Sequence, residues 1–132
     1  MTQWLVTALL VLVGVLNLAP GIVFFAPERS LSLYSIDLID PDLAVAMRHR
    51  AVMLALLGAA LIFAAVRKDV LVPVVVAALI GKLAFLFLVY TTSGVNAELG
   101  RVAFFDIGAV VLLLIALVLL LIALVLHLFA GK

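Results

Sequence analysis

From Trp4 to Phe25 the chain carries no charged side chain, and three more apolar runs of comparable length follow it. A helix needs roughly 20 mostly apolar residues to cross about 30 Å of hydrocarbon. Runs of this length, repeated along so short a chain, constrain the fold more than any motif does. The 132 residues are 70% hydrophobic and 11% charged. A soluble domain has about 45–50% apolar and about 25% charged residues, and a chain this short has too little interior to hide the excess from water. The solvent is lipid, and the expected fold is all-α: an integral membrane four-helix bundle.

The spans are expected at about 4–25, 43–66, 70–90 and 102–129, with a polar or interfacial loop at 27–42, all in a single transmembrane domain. Nothing basic precedes the first run, which is too long for a signal-peptide core and lacks a cleavage site, so it reads as a retained helix with Trp4 as an interfacial anchor. Pro20 is expected to kink or end its regular part. Leu31, Tyr34 and Leu38 fall at helical spacing in the following loop, which suggests a segment lying along the interface. Asp40 as N-cap, Pro41 at the first helical position and Asp42 in the first turn mark a strong start for the second helix. Arg67-Lys68-Asp69 and Thr91 to Asn96 supply short connections, and Glu98 to Arg101 lead into the last span. Short connections make sequential helices antiparallel neighbours, giving up-down topology. Basic residues near the ends are almost balanced: Arg67, Lys68 and Lys132 on one side, Arg29 and Arg101 on the other, with Arg48 and Arg50 beyond them. Because Arg48 and Arg50 read as partly embedded, both termini are assigned to the cytoplasmic side.

The last span repeats itself. Leu112 to Val118 and Leu119 to Val125 both read LLLIALV, and Ala109, Ala116, Ala123 and Ala130 recur every seven residues. Small residues on one stripe allow close helix approach in lipid. Such a seam can serve the bundle itself or a homo-oligomer contact, and packing is favoured over any cofactor role.

Polar groups inside spans carry the functional signal, because Lys, Arg or Asp at a helix centre costs about 2.5–3.5 kcal/mol on insertion scales. At 1.5 Å per residue, Arg48 lies about 10 Å past Pro41, Asp106 about 7–8 Å past Arg101, Lys82 about 12 Å before Tyr90 and Asn17 about 13 Å before Ala26. Antiparallel threading brings all four into the same half of the membrane. Arg48 and Arg50 are about 200° apart on a helix, so only one can enter the bundle while the other snorkels, with His49 between them. Gly14, Asn17 and Gly21 share a face of the first helix, and Ala78, Lys82 and Phe85 share one of the third. Arg48, Arg50 and Lys82 against Asp106 leave a formal surplus of two positive charges, which Glu98 reduces to one if its loop folds over. Asn96, Glu98 and Arg101 are the loop residues able to contribute. Surplus positive charge invites a lipid phosphate, a carboxylate or a polar cofactor head. The plainer alternative is that Asp106 neutralises an arginine or Lys82 and locks helix register with no ligand.

Ala26-Pro27-Glu28-Arg29-Ser30-Leu31, Met47-Arg48-His49-Arg50-Ala51, and Gly94-Val95-Asn96-Ala97-Glu98-Leu99 leading to Arg101 and Asp106 occur in this order. In these features the chain resembles the DoxX-like group of small four-helix bacterial membrane proteins. The resemblance covers nearly the whole chain. It implies a multi-pass protein of the bacterial cytoplasmic (inner) membrane, often without assigned activity, and an accessory role beside membrane oxidoreductases. Uncharacterised relatives can carry the label phosphopantetheine adenylyltransferase. The sequence contradicts that activity, because the His-x-Gly-His motif of that soluble α/β enzyme is missing.

Function classes narrow accordingly. A net charge of +1 offers no footprint for nucleic acid, and the lack of cysteine removes thiolate metal sites, iron–sulfur clusters and thiol chemistry. His49 and His127 belong near opposite membrane faces and cannot supply a bis-histidine haem within one chain, nor a metal site without clustered carboxylates. No nucleophile–base constellation occurs at readable spacing. No cofactor, no metal and no catalytic residue is expected. The leading expectation is a non-catalytic accessory or structural subunit, with membrane lipid and another membrane protein or a second copy as partners. The alternative is a binder of a lipid, quinone or other amphiphile whose head sits in the polar cluster. Proton or ion movement through Asn17, His49, Lys82 and Asp106 is weaker, since polar groups occupy only one half of the span.

Overall fold

Pro20 decides how the first span ends. With no N–H to return to the carbonyl of Leu16, the α-helix stops and one tighter turn takes over. The computed structural model describes residues 2–130 and shows α1 (Thr2–Leu18), a 3₁₀ turn at Ala19–Gly21, and α2 (Ile22–Phe25) completing the span. Lys132, used above to judge orientation, lies outside the described residues.

A short α3 (Arg29–Tyr34) follows, ended by Ser35 in a left-handed conformation with φ 53°. The three residues at helical spacing in this segment part company. Leu31 is exposed, but Tyr34 is buried and Leu38 lies beyond the helix. Tyr34 turns inward because α3 packs on α2 and α6.

Asp40 caps α4 (Pro41–Val66) as its sequence signal predicts, its side chain accepting from the Leu43 N–H at 2.8 Å. A 3₁₀ turn at Lys68–Val70 then leads to α5 (Leu71–Thr91). The fourth helix, α6 (Ala97–Ala130), begins five residues before the expected Val102. Asn96 explains the difference: its Oδ1 accepts from the Leu99 N–H at 2.8 Å, the bond of an N-cap. Glu98 and Arg101 therefore stand on the first turns of a helix, not in a loop.

Among the described residues four helices are long and apolar enough to cross a membrane: Gln3–Phe25, Pro41–Val66, Lys68–Thr91 and Ala97–Ala130. The described chain is an all-α four-helix bundle without strands. Along α1 and α4 the contacts run in opposite senses. Thr7 Oγ1 meets the Ala65 carbonyl at 3.4 Å near one end, and Arg48 Nε donates to the Phe24 carbonyl at 2.9 Å near the other. Midway, a Cβ on Gly58 would lie 2.5 Å from the Gly14 carbonyl oxygen, so glycine at both positions permits the closest approach of the two helices. A Cβ on Gly21, at the end of the 3₁₀ turn, would lie 2.9 Å from the Ala55 Cβ.

The core divides in two. The larger cluster includes Leu10 and Val13 of α1, Leu61 of α4, Leu71 and Val75 of α5, and Leu113 and Ala116 of α6. A smaller one joins Val23, Tyr34 and Ala51 with Met47, Leu99 and Val102. The alanine stripe of α6 divides between bundle and surface. Ala109 and Ala116 are buried in the bundle, whereas Ala123 and Ala130 are exposed. Every residue from 121 to 130 is exposed, because α6 outlasts the helices it packs on. Its 34 residues correspond to about 51 Å, well over the hydrocarbon thickness of about 30 Å.

Candidate functional site

Between the two core clusters the bundle is not filled. Leu16 and Asn17 of α1, with Ala19 and Pro20 of the 3₁₀ turn, fall between Val13 of one cluster and Val23 of the other. They border a cavity of about 440 Å³ that all four spans and α3 line. The size lies in the lower part of the range for small-molecule pockets, about 300–1,000 Å³. Leu16, Leu54, Leu57, Phe105 and Ala109 supply apolar wall, while Asn17, Arg50, Lys82, Arg101 and Asp106 supply polar groups.

Lys82 and Asp106 form the fixed part of the site. Lys82 Nζ donates to Asp106 Oδ1 at 2.5 Å, with side chains 7% and 21% exposed. Alone at this position an ammonium would be strongly disfavoured in lipid. Paired, it is neutralised and ties α5 to α6. Ala78, Lys82 and Phe85 share a face as their spacing predicts; Ala78 and Lys82 are buried and Phe85 borders the cavity.

Arg50 is the arginine that enters. Its guanidinium stacks over the ring of Tyr34 at 5.1 Å and that of Phe85 at 5.5 Å, so an aromatic from α3 and one from α5 hold it. Aromatic faces stabilise the cation without consuming its N–H donors. Among the described residues no carboxylate pairs with Arg50, and its side chain makes no hydrogen bond.

Arg48, counted with the cluster on depth alone, lies outside it. The rotation of α4 points its side chain to the outer surface, where it binds the Phe24 carbonyl and covers the Phe24 ring at 5.2 Å. His49 is also exposed and does not border the cavity. Depth along the axis was sound evidence for the level of these residues but carried no information on which side of α4 faces inward. His127 is exposed on the protruding part of α6.

Asn17 is 4% exposed, and its Nδ2 donates to the Val13 carbonyl at 2.8 Å, one turn back in its own helix. Its Oδ1 has no hydrogen bond among the described residues. Asn96 does not reach the cavity. Besides capping α6, it donates from Nδ2 to the Tyr34 carbonyl at 2.9 Å and so fastens the end of α3 over the site. Tyr34 is the residue the sequence reading missed as a site member, and its burial beside a capping asparagine 62 residues away left no local signal.

Glu98 does not fold over the cavity to offset its charge. It pairs with Arg101 one turn along α6. With Lys82 matched by Asp106 and Arg101 by Glu98, the expected surplus of two becomes a single positive charge in the cavity, and it belongs to Arg50. The arrangement is an apolar slot with a neutral ion pair at its side and one open guanidinium. Compared with models of known protein families, with curated proteins and with solved structures, the chain matches none of them.

Proposed function

We propose that this chain is a non-catalytic membrane protein that receives an amphiphile in the cavity, its polar head among Arg50, Lys82 and Asp106. One observation carries the reading: a cavity walled mainly by apolar side chains is also lined by the buried Asn17 and Lys82 and by the partly buried Arg50 and Asp106. A wholly polar ligand would lose its hydration against Leu54 and Leu57, and a wholly apolar one would strand Arg50. A molecule with both parts satisfies the walls and the polar end together. The resemblance to the DoxX-like group adds a setting, the bacterial cytoplasmic membrane. Native mass spectrometry of the protein extracted in mild detergent tests the reading. A co-purifying amphiphile is expected, retained by the wild type and lost when Gly81→Trp fills the cavity. Gly81 borders the cavity, and a Cβ there meets nothing within 4 Å, so a side chain can start from this position without striking the backbone. Equal retention by the wild type and Gly81→Trp would count against it.

A second reading, an accessory subunit of a membrane assembly, draws support from α6. Its exposed stretch 121–130 carries Ala123 and Ala130 at the spacing that buries Ala109 and Ala116 inside the bundle. A partner helix would find the same stripe. Crosslinking from Ala123 in native membranes to one reproducible partner or a second copy supports it; a monomer without crosslinks contradicts it.

A further inference from the structure

Arg50 narrows the ligand further, on the reading that the cavity holds an amphiphile. A guanidinium has five N–H donors in a planar fork that fits carboxylate and phosphate oxygens two at a time. In this chain the centre of the fork lies 5.1 Å from the Tyr34 ring and 5.5 Å from the Phe85 ring. The donors at its edge make no hydrogen bond among the described residues. A surface arginine left this way would simply be hydrated. Arg50 instead borders a cavity with apolar walls, where an unmatched cation is costly and an anion binds more strongly than in water.

The charges around it set the valence. Lys82 is committed to Asp106, and Arg101 to Glu98. One positive charge remains, so one negative charge neutralises the site. A zwitterionic head would match Arg50 with its anion but leave its own cation without a partner, because both carboxylates near the site are already paired. The open Oδ1 of Asn17 adds an acceptor that suits a hydroxyl on the head. The apolar walls at Leu54 and Leu57 then take the start of a hydrocarbon chain.

We infer that Arg50 is the anchor of a lipid-binding site selective for a head of net charge minus one, a phosphate diester or a carboxylate, with Tyr34 and Phe85 as the residues that aim its fork. The anion has two sources, a lipid head or free phosphate in the adjoining water, and the chemistry at Arg50 is common to both.

The test is lipid titration of the full-length protein by native mass spectrometry. Probes are phosphatidylglycerol, phosphatidylcholine of the same chains, and inorganic phosphate as competitor. Wild type is expected to prefer phosphatidylglycerol by about tenfold, the value of one charge-assisted pair. Arg50→Gln should remove that preference, Arg50→Lys should keep part of it, and Arg48→Gln, on the outer surface, should leave it unchanged. Inorganic phosphate should not displace the lipid; displacement at millimolar concentration would overturn the lipid source. Equal binding of both lipids by wild type, or a preference surviving Arg50→Gln, would overturn the role of Arg50. Neither result touches the wider reading if Gly81→Trp still expels both lipids. If Gly81→Trp expels neither, the cavity itself is not the binding place, and both readings fail together.

Discussion

Lys82 reaches across from α5 to Asp106 on α6 with 2.5 Å between Nζ and Oδ1, the lysine buried and the aspartate partly so. The bond lies beside the cavity, so the same two residues brace the bundle and set the charge that a ligand meets.

Removing one partner should therefore harm the fold more than removing both. Lys82→Met or Asp106→Leu alone leaves an uncompensated buried charge and is expected to cost about 3–5 kcal/mol, while the double variant recovers most of it. Thermal unfolding of all four proteins in one detergent, read as a double-mutant cycle, measures the coupling. Additive losses would mean that the two side chains are separately solvated.

The α1–α4 contact depends on the lack of a side chain at Gly58. Gly58→Ala places Cβ against the Gly14 carbonyl oxygen and the Leu18 backbone nitrogen, both main-chain atoms that cannot swing away. A loss of about 1–3 kcal/mol is expected. Gly108→Ala on α6 is the control, because nothing lies within 4 Å of its Cβ position. Helix propensity there favours alanine by up to about 1 kcal/mol, so the two substitutions should change stability with opposite signs.

Asn96 holds two structures at once. Asn96→Ala removes the cap of α6 and the bond to the Tyr34 carbonyl, at a combined cost of about 1–3 kcal/mol. Hydrogen exchange should show faster exchange in α3 and the first turn of α6, with the α1–α4 contact unchanged. Uniform loss of protection across the bundle would show that α3 is not a separately fastened element.

Much of this fold was legible because its signals are local. Asp40-Pro41 marked the start of α4, and Pro20 marked the break after α1. The start of α6 is less legible because Glu98 and Arg101 look like a polar connection, although Asn96 with Glu98 close behind it is itself a helix-start pattern. Rotation was harder. In water, the apolar stripe of a helix tells which side faces the core; in lipid, both sides of α4 are apolar and the stripe vanishes. Spacing could therefore say that Arg48 and Arg50 point apart, but the choice of Arg50 needed Tyr34 and Phe85, which come from distant parts of the chain. The seam through Ala109 and Ala116 was visible as a repeat, yet the repeat carries no mark of where α6 leaves the bundle.

The end of α6 offers a separable test. Residues 121–130 are exposed throughout, so truncation after Leu120 should leave the Lys82–Asp106 pair and lipid retention intact. Unfolding temperature and bound lipid, compared with the full chain, check this. Lost lipid would tie the protruding helix to the cavity, and lost partner crosslinks alone would assign it to assembly.

The central claim, an anionic lipid head held at Arg50, is tested most directly by solid-state NMR in phosphatidylglycerol bilayers. The measurement is dipolar dephasing between ³¹P and ¹⁵N-labelled arginine side chains. A phosphate oxygen at hydrogen-bond distance from the fork puts phosphorus within about 4–5 Å of a guanidinium nitrogen. The account predicts a strongly dephased arginine signal that disappears in Arg50→Gln and persists in Arg48→Gln. An identical dephasing curve for wild type and Arg50→Gln would contradict it.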